Sequence, residues 1–394
     1  MTHSHFVEID NNNVENILQP IFEKGFDGMT EVMATVLNIA MKIERQEHLQ
    51  DGRYERSNER TGYANGYKSR GIKTRMGKVE LQVPQVRNTE PYKPSMLESG
   101  QRQEKALTVA IAEMYIQGVS TRRVKNVMQG LCGFDISSAQ VSKAAQELDV
   151  VLEKWRERPL GEIKTLIIDA RYEKARVDGC VVSCSLLTAC GVDSKGYRSV
   201  LGTSVSLSEA EVHWRSFLES LLTRGMHGLE FIVSDNHSGL KAAIRGVMPG
   251  IYWQRCQFHL QQNAQAYITK KNLKASVAND IRTIFHAPDE NEATRLLKIY
   301  VKKYSETQEK LAVWMEENIP EGFAVFKLPQ QMRKKLRTSN MLENLNKQIK
   351  RRTRLVGVFP NEQSLLRLAS AILAEISDDW ETGKKYLDMK GLVD

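Results

Sequence analysis

No stretch of the chain approaches roughly 18 consecutive apolar residues, so the sequence offers no candidate for a membrane-spanning helix. The first residues, Met1 to Asp10, lack the apolar core of a secretion signal. Together these absences predict a soluble, cytoplasmic protein with no membrane partner. Cysteine is scarce: there are 5, an odd number, without the paired spacing of a zinc site or a disulfide framework. Internal repeats and low-complexity tracts are missing as well. What remains is an ordinary globular composition. Hydrophobic residues make up 41%, ample for a packed core, and 394 residues suggest two or three domains.

Charge is more informative by position than in total. The chain carries 56 Lys and Arg against 48 Asp and Glu, a net of +8. Residues 327–354 hold ten bases and a single acid, Glu343, and residues 53–78 hold eight bases and two acids. The rest of the chain is net acidic, with −5 in residues 1–50 alone. Two basic islands on an acidic background point to localised contact with a polyanion, although either island alone could be a solvated face.

Hydrophobic periodicity divides the chain further. Residues 14–50 read as helix, and residues 51–76 as a basic, Gly-rich extended arm. A short alternating strand follows, with Val79, Leu81 and Val83 on one face and Pro84 as its stop. Three helices are expected between Gln103 and Trp155: one ending near Gly118, one breaking at Cys132-Gly133, and one opening at Ser137 with Gln140 at the capping-box position and running through Leu148. The last two are compatible with a helix-turn-helix, for which Arg122, Arg123, Lys125 and Lys143 would supply phosphate contacts.

At Lys164 the period switches to short apolar runs. Thr165–Asp169 reads as a buried strand ending in a carboxylate, followed by strands at 180–190 and 197–206 joined through Asp193-Ser-Lys-Gly196. Ser208 is the expected cap of the next helix, whose core side carries Trp214, Phe217, Leu218 and Leu221. A fourth strand, 230–234, runs into Asp235; a helix over 237–247 and a fifth strand at 251–255 follow. About 80 residues after His259 carry helical signals only, before a basic helix near 340–353 and a closing helix at 361–376. Cys180, Cys184 and Cys190 share one strand face and read as core filling.

In that order the first three strands form an antiparallel meander, and the fourth lies beside the first through a helical crossover. Asp169 and Asp235, 66 positions apart, then sit at neighbouring strand ends. A third carboxylate on a helix over that edge would complete a site for two divalent cations, with hard oxygen ligands holding Mg²⁺ for an in-line phosphodiester displacement. Duller roles compete. Asp235 could cap the following helix, and Glu343 could close a capping box with Asn340. The ten bases around Glu343 favour a phosphate-handling site.

The chain resembles the bacterial insertion-sequence transposases of the Mutator type, which carry an Asp-Asp-Glu triad on a ribonuclease H-like fold. The resemblance runs from about residue 50 to 376. It is carried by Glu59-Arg-Thr-Gly-Tyr-Ala-Asn-Gly-Tyr67, Gly77-Lys-Val-Glu-Leu-Gln-Val-Pro84, Gln254-Arg-Cys-Gln-Phe-His259 and Ser339-Asn-Met-Leu-Glu-Asn-Leu-Asn346. Position by position, the family triad falls on Asp169, Asp235 and Glu343, and the family's Cys-x-x-His signature on Cys256 and His259. One Cys and one His cannot make a four-ligand zinc site. The pair reads as groups supporting Asp235 or meeting DNA, with a core role equally open; His237 could touch the scissile phosphate or be an exposed first-turn histidine.

The resemblance implies an α/β fold: a ribonuclease H-like catalytic core with a mixed five-stranded sheet, interrupted by an all-helical insertion and preceded by mostly helical DNA-binding modules. The expected divisions are an N-terminal helical region (1–50), the arm (51–100), a helix-turn-helix-like module (101–160), the core (161–262 and 336–394) and the insertion (263–335). The expected activity is a transposase that binds terminal inverted repeats, frees 3′-OH ends and joins them to target DNA with two Mg²⁺ ions, Mn²⁺ substituting. The resemblance further implies donor circles formed by copying. Partners would be double-stranded DNA and a second copy in a synaptic homodimer. Arg60, Tyr63, Asn65 and Tyr67 of the arm, Arg122, Arg123 and Lys125 of the helical module, and Lys347, Lys350, Arg351, Arg352 and Arg354 of the basic helix are the expected DNA contacts. Two rivals remain: a non-catalytic DNA-binding regulator, and a metal-dependent nuclease that hydrolyses without joining.

Overall fold

The computed structural model describes residues 11–50, 60–97, 102–117 and 119–389. Met1–Asp10, the first part of the expected arm (51–59, with Glu59 of the arm motif) and Gly118 lie outside them. The chain divides into two compact units, Met1–Glu147 and Leu148–Asp394. Among the described residues, no helix is long and apolar enough to cross a membrane.

In the first unit, α1 (Asn11–Lys24) and α2 (Met29–Leu49) precede a two-stranded antiparallel ribbon, β1 (Tyr63–Thr74) and β2 (Gly77–Arg87). The extended arm is therefore half of a ribbon. Its Lys- and Gly-rich sequence shows no alternation because the first seven residues of β1 are exposed, while β2 supplies most of the apolar face. Pro84 does not stop β2, which continues to Arg87. A residue without an N–H is tolerated on a strand that has only one hydrogen-bonded neighbour. Ile72, Val79, Leu81 and Val83 pack with Met41 of α2, and Asn38 Oδ1 accepts from Gln82 N at 2.8 Å.

Three helices complete this unit: α3 (Lys105–Ile116), α4 (Thr121–Cys132) and α5 (Ser138–Gln146). Ile111, Val124, Met128, Ile136 and Val141 form their shared core. Ser120 caps α4, Gly133 ends it in the left-handed region, and Ser137 with Gln140 forms the expected capping box. The third expected helix is broken in two. After α5, residues Asp149–Arg156 form a separate helix, α6, which groups with the second unit and is held to it by Arg367 on Asp149 at 2.6 Å.

The second unit is built on a mixed five-stranded sheet. Its strands are β3 (Ile163–Val177), β4 (Cys180–Asp193), β5 (Arg198–Ser206), β6 (Phe231–Ser234) and β7 (Tyr252–Arg255), in the order β5-β4-β3-β6-β7. The expected meander and crossover are present: β3, β4 and β5 are antiparallel, and β6 and β7 run parallel to β3. The turn at 193–196 forms as read, with Asp193 Oδ1 accepting from Lys195 N and Tyr197 N and with Gly196 at φ +88°.

One sheet face packs Ile163, Leu166, Ile168, Leu187 and Ile232 against α7 (Glu211–Thr223) and α8 (Ser238–Val247), with Trp214 buried between them. Ser208 does not cap α7. The N-cap position is Ala210, without a side-chain hydrogen bond, and Ser208 Oγ instead accepts from Ala210 N. Of the three cysteines expected in the core, Cys184 and Cys190 are buried, whereas Cys180 opens β4 at the hairpin tip and is exposed.

Between the sheet and its last helices lies a helical segment: α9 (Gln257–Ala264), α10 (Lys274–Phe285), α11 (Glu290–Ser305), α12 (Glu309–Asn318) and α13 (Gln330–Leu336). It has its own apolar core, including Leu260, Ile281, Leu297, Leu311 and Phe323. The carbonyl of Gly322 pins it to the sheet by accepting from Gln254 and Gln257, each at 2.9 Å. A Cβ at Gly322 would meet the Leu260 and Phe285 side chains at 2.9 Å, so a larger residue there would have to displace them. The chain then returns as α14 (Asn340–Val356) and α15 (Glu362–Thr382), which cover the second sheet face through Leu342, Leu345, Ile349, Leu368 and Ile372.

Candidate active site

β3 and β6 pair in register as Thr165 with Phe231, Leu166 with Ile232 and Ile167 with Val233. Continuing that register sets Asp169 level with Asp235, because both intervals are 66 residues. Asp169 does not end its strand, as the sequence suggested. β3 runs on to Val177, still paired with β4, whereas its parallel partner stops at Ser234. Asp169 therefore lies where β3 loses its neighbour on one side, and the gap opens beside its carboxylate. By alternation it shares the sheet face of Ile167, the face that α14 covers.

Helix α14 approaches that gap with its first turn. Glu343 sits there, and one turn later Asn346 Nδ2 donates to Asp169 Oδ2 at 2.8 Å. Positions three apart share a helix face, so the acid and the amide both face the end of β3. The duller alternatives for these acids do not occur. The N-cap of α14 is Ser339, without a side-chain cap bond, and the N-cap of α8 is His237, so neither Glu343 nor Asp235 is a capping residue. Glu343 Oε1 is buried without a hydrogen-bond partner. Asp235 Oδ1 accepts from Asn236 N at 2.6 Å and is otherwise half exposed.

The electrostatics are those of crowded acids. Asp169 is half-buried, and loss of hydration pushes its carboxyl up to about 6, with Asp235 and Glu209 adding to the rise and His259 opposing it. His259 Nδ1 lies 3.8 Å from Asp235 Oδ1. Its imidazole is pushed up to about 9, first by the Cys256 thiol, then by Asp235 and Asp169, against an opposing effect of burial. Cys256 follows β7 directly and is fully buried. Its Sγ accepts from Ser339 N and Ser339 Oγ, both at 3.3 Å, which ties the start of α14 to the end of β7. Burial acts to raise the Cys256 thiol, but His259 and Ser339 outweigh it and hold it below the ordinary range. His237 stands further out, with Nδ1 3.8 Å from Glu209 Oε2.

These residues suit a hard divalent cation. A buried carboxylate oxygen without a donor and a second carboxylate strained by its neighbours both gain from a positive charge. Among the described residues, no three Asp, Glu, His or Cys side chains are close enough to cage one ion. Mg²⁺ does not need such a cage, since it is usually held by one or two carboxylates with waters and substrate phosphates.

The raised Asp169 pKa carries a stability consequence. A carboxyl whose folded-state pKa lies above its unfolded value binds its proton more tightly when folded. Native stability is therefore lost as pH rises from about 4 to about 6, and the deficit persists above that. In metal-free protein, Asp169→Asn should stabilise the fold near pH 7.5 by on the order of 2 kcal/mol, discounted for residual exposure, and by clearly less near pH 5. Thermal melts in chelator at the two pH values check this; an equal or absent gain contradicts it.

The expected DNA contacts fall in both units. In the first, Tyr63, Asn65 and Tyr67 are exposed on β1; Arg60 lies 4.7 Å over the Tyr63 ring, and Lys42 and Arg45 lie over Tyr67. Arg122, Arg123 and Lys125 are exposed on α4, with Lys125 Nζ 3.4 Å from Asp135. In the second, Lys347, Lys350, Arg351 and Arg354 are exposed on α14, while Arg352 is half-buried with Nη2 3.8 Å from Glu375. Sequence reasoning assigned no role to Asn346, Ser339 or Glu209. Ser339 and Asn346 left a trace as the two ends of the motif around Glu343, Asn346 also by its spacing of three from that acid.

Comparison with known proteins identifies the family of the chain. The sequence model described as Transposase, Mutator family, matches residues 6–383. The chain is 50% identical over 97% of its length to the transposase for insertion sequence element IS406 of Burkholderia multivorans, covering 99% of that protein. It is 34% identical over 98% of its length to the transposase for IS256 in transposon Tn4001 of Staphylococcus aureus, covering 99% of it. The transposase for IS1081 of Mycobacterium tuberculosis is 33% identical over 100% of the chain and 94% of its own length.

Proposed function

Since the chain belongs to the Mutator family of transposases, we propose that it binds the terminal inverted repeats of an insertion sequence, frees their 3′-OH ends and joins them to target DNA. The observation that supports this best is the shared register level of Asp169 and Asp235 beside the helix that carries Glu343. In this reading the sheet with its flanking helices is a ribonuclease H-like core, and the three carboxylates hold Mg²⁺ or Mn²⁺. When bound, the ions supply Lewis-acid stabilisation to the attacking and leaving oxygens of the phosphodiester.

The residues of the chain do the rest. Asp169 must be ionised to act as a ligand, so the site fills with rising pH through about 6. The bases of α14, all of which follow Glu343 along the helix, bind backbone phosphates beside the scissile bond. End cleavage consumes one water and breaks one phosphodiester. In joining, the 3′-hydroxyl oxygen bonds to a target phosphorus as the target's own 3′-oxygen leaves. One phosphodiester forms for each that breaks, so no covalent enzyme intermediate and no external energy source is required. Two ends joined together call for two active sites, which a homodimer supplies.

A pre-cut, 3′-OH-ended element end incubated with plasmid target and Mg²⁺ tests the reading. Joined product is the expected result. Hydrolysis of DNA without joining would identify a nuclease, and binding without either reaction a regulator.

A further inference from the structure

The contact between Asn346 and Asp169 has a role that packing does not explain. Helix α14 is already seated on the sheet by Met341, Leu342, Leu345 and Ile349, all buried. One half-buried hydrogen bond adds little to that docking. What it does fix is direction. Facing an ionised carboxylate, only the NH₂ end of the Asn346 amide can donate, and it holds Asp169 Oδ2 at 2.8 Å. Apart from a backbone hydrogen bond from Ala170, the other lone pairs of that carboxylate stay available, and Glu343 lies one helical turn away on the same face with a buried oxygen that lacks a donor. Asn346 is itself steadied from the strand, where Arg171, two residues past Asp169, reaches its carbonyl at 3.5 Å.

We propose that Asn346 is a positioning residue for the metal site: its amide locks the Asp169 carboxylate in the orientation that lets it and Glu343 bind a divalent cation together. The proposal rests on the triad reading above. Groups that orient a ligand from behind set the affinity of the site as well as its shape, and their loss usually costs 10–100-fold in metal binding. A helix that carries both the acid and the amide also makes the two adjustments one, since any shift of α14 moves Glu343 and the clamp on Asp169 together.

Mn²⁺ titration followed by electron paramagnetic resonance, on the full chain bound to 3′-OH-ended DNA, tests this. Asn346→Ala and Asn346→Leu both remove the donor; leucine keeps the branching and heavy-atom count of asparagine, in a bulkier side chain, and covers the case in which alanine loosens the helix. Both variants should raise the Mn²⁺ dissociation constant about 10–100-fold, with melting temperature in chelator and DNA affinity unchanged. A dissociation constant within about twofold of wild type in the leucine variant would overturn the proposal. Asp169→Asn is the reference: if it binds Mn²⁺ as tightly as wild type, the triad reading fails and the proposal with it. That result is distinct from one in which only the Asn346 variants are silent.

Discussion

Glu343→Gln should lower end cleavage and joining by at least about a thousandfold while leaving DNA affinity and melting temperature near wild type. The size follows from losing one anionic ligand where charge develops on phosphate oxygens, about 4 kcal/mol of transition-state stabilisation. The selectivity follows from what Glu343 does not do. It caps nothing, since Ser339 holds the N-cap position, and its Oε1 has no hydrogen-bond partner. Glutamine has the same shape without the charge, so the fold loses no contact it had. A rate assay on element-end DNA, paired with fluorescence anisotropy for binding, separates the two effects. Residual activity within about tenfold of wild type would mean that the acid is not a ligand.

Neutralising the exposed bases of α14 should act on binding instead. Lys347, Lys350, Arg351 and Arg354 lie at spacings of three, four and seven, a single solvent-facing stripe, opposite the buried Leu342, Leu345 and Ile349. Each phosphate contact contributes about 0.9 to the slope of log affinity against log salt concentration. Replacing all four by glutamine should flatten that slope by about 3 to 4 and weaken binding roughly a hundredfold at low salt. Arg352 serves as the internal control, because it turns toward Glu375 of α15 and should change the slope little. Salt titrations of DNA affinity read both, and an unchanged slope in the fourfold variant would place the DNA elsewhere.

Much of this site can be read from the sequence, and the parts that cannot share a cause. The change of period at Lys164 and the apolar runs that follow were enough to order the strands, because buried strands and amphipathic helices have different repeats. Asp169 read as a strand end because the apolar run stops there. The strand itself continues with half-exposed, polar residues such as Tyr172 and Lys174, held by β4 alone. The ribbon of β1 was hidden for the same reason: its pairing is set by β2 and α2, not by its own pattern. Asn346 reaches a partner 177 residues away and Cys256 one 83 residues away, and local spacing cannot announce contacts of that range. Sequence thus located the acids, and tertiary structure supplied the groups that hold them.

The most direct measurement is anomalous diffraction from crystals of the chain with bound element ends and Mn²⁺. Metal peaks are expected within coordination distance of the carboxylates of Asp169, Asp235 and Glu343, with Asp169 still held by Asn346. Metal bound away from Asp169, or DNA ends seated far from the first turn of α14, would contradict it.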